Sequence, residues 1–165
     1  MDRQIEKKSR KLEVLLWSIA LPGFGQLLNG QFLKGFILIT LEFLVNILGN
    51  FNQVIILSYH GKIQEAVAET NYLWLMFYPC LYFFAIWDAY RDAGGGHKPF
   101  AFLPFVFSAY FVTLGVIFSA KLKPFGTLLG PIWLPILSVP IGLLVGAGIR
   151  RVLLKVYADK TDKLL

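Results

Sequence analysis

FAFLPFVFSAYFVTLGVIFSA, residues 100–120, holds no charged side chain and no run in which apolar and polar positions alternate. A helix rising 1.5 Å per residue needs about twenty such residues to cross about 30 Å of hydrocarbon. A barrel strand would instead alternate over about ten residues. The stretch is therefore read as a membrane-spanning helix, apolar on every side. Working outward, four more apolar runs follow the same logic, at about 12–28, 35–57, 72–91 and 127–149. Charged residues make up 16% of the chain, hydrophobic ones 56%, and the mean hydropathy is +0.62, whereas soluble domains carry about a quarter charged residues. The expected fold is all-α: a polytopic transmembrane helix bundle forming one domain over residues 1–165. It divides into a basic cytoplasmic N-terminus (1–11), a hydrophobic bundle (12–149) and a basic amphipathic tail (150–165).

The first run carries Pro22, Gly23 and Gly25 in its second half, where proline removes a backbone donor and clashes with the preceding turn. It reads as a short broken or re-entrant segment. If it dips in and returns, four segments cross. Thirteen of the 16 Lys and Arg then face one side, and Lys62, Lys121 and Lys123 face the other. Such a bias marks the cytoplasmic face. The alternative is five spans, which splits the basic residues eight against eight. The four-span reading places the chain in the cell membrane as a multi-pass protein with both termini cytoplasmic. Residues 58–71 would form the outer loop, with Glu65 and Glu69 on a short amphipathic helix. Arg3, Lys7, Lys8, Arg10 and Lys11 precede the first run as in a signal peptide, but no small-x-small site follows, so the segment is expected to be retained. Trp17, Trp74, Trp87 and Trp133 lie near segment ends, where indoles favour the interface.

Within the second run, Glu42, Asn46, Asn50 and Gln53 fall at spacings of four, four and three, which is one helical face. Polar groups there need partners or water rather than lipid. Two readings stand: a proton, ion or solute path, or side chains that join helices. Asp88, Arg91 and Lys34 form a candidate charge cluster at the cytoplasmic edge, with an Asp88–Arg91 pair at helical spacing. Arg91 or Lys34 reaching Glu42 is the other option. Gly142 and Gly146, four apart, are expected to let the last helix approach a neighbour closely. Pro131, Pro135 and Pro140 predict a kink in that helix.

No reactive constellation emerges, and an enzyme is not expected. Cys80, the one cysteine, excludes an intramolecular disulfide and is expected to be a buried small residue. His60 and His97 fall on opposite sides in the four-span topology and cannot share a metal. Gly94, Gly95 and Gly96 lack the Gly-Lys-Ser/Thr ending of a phosphate loop and read as a turn. Asp88 and Asp92 lie four apart, but Arg91 between them makes a poor hard-cation site. No metal or cofactor is expected. The net charge of +6 sits at segment ends, so lipid headgroups rather than nucleic acid explain it. The expected partners are the bilayer and either a second copy or another membrane protein.

The stretch from Pro22 through Gly23, Gly25, Gln26, Asn29 and Gly30 to Gly35 resembles a PGxGQxxNGxxxxG signature. That signature occurs in small bacterial multi-pass membrane proteins and near the start of some sugar ABC transporter permeases. With Ile86-Trp87-Asp88-Ala89-Tyr90 it is also distantly similar to the TM2 domain, although some fifty residues separate the two elements here. The resemblance implies a bacterial inner-membrane protein of unassigned activity and supplies no catalytic residue. In it the glycines would permit tight turns, with Gln26 and Asn29 capping freed backbone groups. The function these readings favour is a non-enzymatic helix-packing or accessory subunit. The alternative is a small transporter or channel component with a polar path along the second helix.

Overall fold

The computed structural model describes residues 2–162, and every regular element among them is helical. In order these are α1 (Asp2–Ala20), α2 (Phe24–Leu28), α3 (Phe32–Leu48), α4 (Phe51–Tyr59), α5 (Ile63–Glu69), α6 (Tyr72–Leu75), α7 (Tyr78–Asp92), α8 (Leu103–Phe118) and α9 (Gly130–Asp162). Lys163, Leu164 and Leu165 of the expected tail lie outside the described residues. Among the described residues one helix, α9, is long and apolar enough to cross a membrane; the α3–α4 pair qualifies as a second if its 64° bend is taken within one span.

The first apolar run is broken where the prolines and glycines predict. α1 ends at Ala20, and Gly23 adopts φ +102°, a backbone conformation that costs only glycine nothing. The chain then folds back. Gly25 faces Val14 and Ser18 of α1, and the Arg10 guanidinium donates to the Leu28 carbonyl. α1 and α2 thus form a helical hairpin that returns the chain to the level of its basic start.

The remaining helices sort into two ends of one bundle. At the first end lie Arg10, residues 28–34, the C-terminus of α7 and the loop after it. There Arg150 donates to the Pro99 carbonyl at 3.1 Å, and the Phe100 and Tyr157 rings lie 5.3 Å apart. At the second end the Trp133 indole donates to the Ser58 carbonyl at 3.2 Å, and Ser119 meets the Tyr72 hydroxyl at 3.2 Å. α5 covers that end, packing Ala66 with Val54, Leu57 and Ile132 in a small core. His60 closes α4 at the second end, and His97 lies beside Gly94 at the first.

Gly142 and Gly146 sit on the α8–α9 interface. A Cβ on Gly142 would come 2.4 Å from the Ser108 Cα, and one on Gly146 would come 2.6 Å from the Leu103 carbonyl oxygen. The two helices run antiparallel, with Gly115 of α8 against Pro135 of α9. α9 is uninterrupted through Pro135 and Pro140, so the prolines do not divide it, and Pro131 occupies its first turn, where the missing donor costs nothing.

Two expectations are corrected. The second apolar run is not one helix: α3 stops at Leu48, and Asn50 takes φ 56° before α4 starts. Asparagine tolerates that left-handed conformation. The Asn71 amide donates to the Gly49 carbonyl at 3.3 Å, and Asn50 Nδ2 donates to the Glu69 carbonyl at 3.2 Å, so the bend supplies partners for its own freed groups. Cys80, expected to be buried, is exposed on α7.

Candidate functional site

The two stretches that carry the motif meet in space. Pro22 is fully buried at the hairpin tip. A Cβ on Gly25 would stand 1.9 Å from the Ser18 hydroxyl and 2.7 Å from the Ala89 Cβ, so only glycine lets α2 lie between α1 and α7. Gly35 of α3 lies against Leu27 and the Gly23 carbonyl, whereas Gly30 (φ +76°) faces open space in the turn.

From this position the polar side chains of the motif reach α7. Gln26 is fully buried, and its Nε2 donates to the Ala85 carbonyl at 2.8 Å and to Asp88 Oδ2 at 3.2 Å. Asn29 Nδ2 donates to the Ala89 carbonyl at 2.9 Å. Both were expected to cap the turn's own backbone; instead they tie the hairpin to the neighbouring helix.

Asp88 and Asp92 are the centre of the arrangement. Lys34 Nζ lies 3.3 Å from both Asp88 oxygens and 3.3 Å from Asp92 Oδ2. Arg91 bridges the same pair, with Nη2 at 2.8 Å from Asp88 Oδ1 and Nε at 3.2 Å from Asp92 Oδ1. Gln31 Nε2 completes the set at 2.6 Å from Asp92 Oδ2. Asp88 is 5% exposed and Asp92 19%, while the two cations are half in solvent. Burial opposes ionisation of Asp92, yet the hydrogen bonds from Gln31, Lys34 and Arg91 outweigh it and hold its carboxyl below the ordinary carboxylate value. The cluster balances two acids with two bases, which is the arrangement that lets buried charge persist.

Gln31 and Asp92 were not among the expected cluster residues. The signal available was the four-residue spacing of Asp88 and Asp92, which places both on the face of α7 that the hairpin covers.

The polar stripe is divided. Glu42 is buried, Asn46 half-buried, Asn50 lies in the bend, and Gln53 is exposed on α4. The four therefore do not line one continuous face. Neither Lys34 nor Arg91 reaches Glu42, because both are bound to Asp88 and Asp92. The Tyr78 hydroxyl is the polar neighbour of the Glu42 carboxyl group, and Glu42 Oε2 has no hydrogen-bond partner among the described residues. No group of three or more metal-ligating side chains is present among the described residues.

No family model, curated protein or solved structure matches this chain.

Proposed function

We propose that the chain is a four-span integral membrane protein of a bacterial inner membrane, with a re-entrant N-terminal hairpin, both termini cytoplasmic, and a non-enzymatic role as a helix-packing or accessory subunit. The observation that carries the topology is the hairpin, which brings Leu28 back to Arg10. With it, Lys62, Lys121 and Lys123 belong to the second end, and the other Lys and Arg of the described helices and loops belong to the first, the bias expected of a cytoplasmic face. The outward surface supports the same reading. Leu33 is 77% exposed, Ile47 71% and Leu144 74%, and apolar area of that extent needs lipid or a partner over it.

The accessory role is supported by how the polar side chains are used. Those of the motif hold the hairpin against α7, which is work of packing rather than of catalysis. A second reading, a small transporter or channel component, draws on one observation, the unpartnered Oε2 of buried Glu42.

The test is cysteine accessibility in intact cells, in a Cys80→Ser background carrying Asn29→Cys, Lys62→Cys or Lys98→Cys one at a time. Only Lys62→Cys should react with an impermeant reagent. Labelling of Asn29→Cys from outside would mean that the first segment crosses. Co-expression of two differently tagged copies then tests packing: co-purification supports self-association, and a monomer showing proton-dependent flux that Glu42→Gln abolishes would replace the accessory role with the transporter reading.

A further inference from the structure

A cavity of about 600 Å³ opens between the hairpin tip at Ile19 and Ala20 and the parts of α4, α6, α7, α8 and α9 toward the second end. Its size falls within the roughly 300–1,000 Å³ of small-molecule sites. One wall is aromatic and continuous. Phe51 and Tyr78 have ring centroids 4.7 Å apart, Tyr78 and Tyr82 stack at 5.5 Å, and Tyr82 meets Phe83 edge-on at 5.5 Å. All four rings line the cavity. The opposite side is aliphatic, with Val116, Pro135 and Val139.

Behind the aromatic wall stands Glu42, 6% exposed. Tyr78 is its polar neighbour, and Tyr82 also lies near it. The two cations expected to reach it, Lys34 and Arg91, are occupied by Asp88 and Asp92. A carboxyl group buried without a counter-ion is held neutral by desolvation, and a positive charge seated against the aromatic wall would let it ionise. Ring quadrupoles add attraction of the same sign. A small metal ion does not suit the wall, which offers phenols and hydrocarbon in place of the six or more oxygens a hard cation takes.

We propose that this cavity binds a hydrophobic organic cation, a substituted ammonium or phosphonium, with its charge over Tyr78 and Tyr82, offset by Glu42, and its hydrocarbon groups against Val116 and Val139. The proposal rests on the membrane reading, which accessibility labelling tests separately, and does not depend on the accessory role.

The experiment is equilibrium binding of labelled tetraphenylphosphonium to the full chain in lipid nanodiscs, with empty nanodiscs subtracted. Saturable binding is expected, and tetraphenylborate, of the same shape and opposite charge, should not compete. Glu42→Gln should weaken binding by about tenfold or more, the loss of roughly one strong electrostatic contact. Val139→Trp, which fills the cavity from α9, should abolish it. If Glu42→Gln fails to fold, Val139→Trp and Tyr78→Phe carry the test, the latter expected to weaken binding because it removes the polar neighbour that helps Glu42 take up charge when the cation binds. No saturable binding to the unaltered chain, equal competition by tetraphenylborate, or unchanged binding in folded variants would each overturn the proposal, and would do so even where labelling finds four spans.

Discussion

Replacing Asp88 by Asn tests whether the charge cluster holds the hairpin in place. The substitution keeps the side chain's shape and one acceptor, but removes the charge shared by Lys34 at 3.3 Å and Arg91 at 2.8 Å. It also turns an amide donor toward groups that are themselves donors. Each charge-assisted bond contributes about 1.5–3 kcal/mol. The two cations are half exposed and can turn to water or to Asp92, which discounts their share. Gln26 is buried and has no such escape. The net loss is about 2–3 kcal/mol, which for a chain of this size lowers Tm by about 6 °C. The assay is thermal unfolding of the purified protein in mild detergent, followed by tryptophan fluorescence, since Trp87 neighbours Asp88. Asp92→Asn serves as the internal comparison, because its site is more open (19% against 5%), and should cost about 1 kcal/mol, the scale of partly exposed pairs. A shift below about 1 °C for Asp88→Asn, or a larger one for Asp92→Asn, would refute the claim that burial of Asp88 makes the cluster structural.

Other expectations follow from single contacts. Because the Asp92 carboxyl is held below its ordinary value, the unfolded chain binds more protons than the folded one as pH falls; the stability Asp92 contributes is complete above pH of about 4 and is lost below it. Acid titration of Tm should therefore show a limb that flattens in Asp92→Asn. Gly142→Val would drive a side chain into the Ser108 backbone, 2.4 Å from its Cα, and should cost about 1–3 kcal/mol by overpacking, read as a lower Tm that Gly148→Val, with nothing within 4 Å of its Cβ, does not share. Asn50→Ala places alanine at φ 56° and removes the bonds to Glu69, so it should destabilise by about 1–3 kcal/mol, whereas Asn50→Gly, which relieves the strain, should lose less in the same melt.

The helical class, the approximate limits of the apolar runs, the break at Pro22 and Gly23, and the Asp88–Arg91 pair were all legible from the residues alone. These depend on composition, chain length and spacing within one helix, all of which are local. Residues three apart on α7 meet whatever else the chain does. Which helix faces which depends on packing between segments far apart along the chain. The spacing of Glu42, Asn46, Asn50 and Gln53 described one face only while the helix continued, and the 64° bend after Leu48 turned Gln53 outward and left Glu42 enclosed. Lys34 had three acids within conceivable reach, and the position of α2 between α1 and α7, permitted by Gly25, gave it to Asp88 and Asp92. The cavity behind Tyr78 has no counterpart in any run of sequence, because its walls come from the hairpin tip and five helices whose separations along the chain carry no record of their meeting.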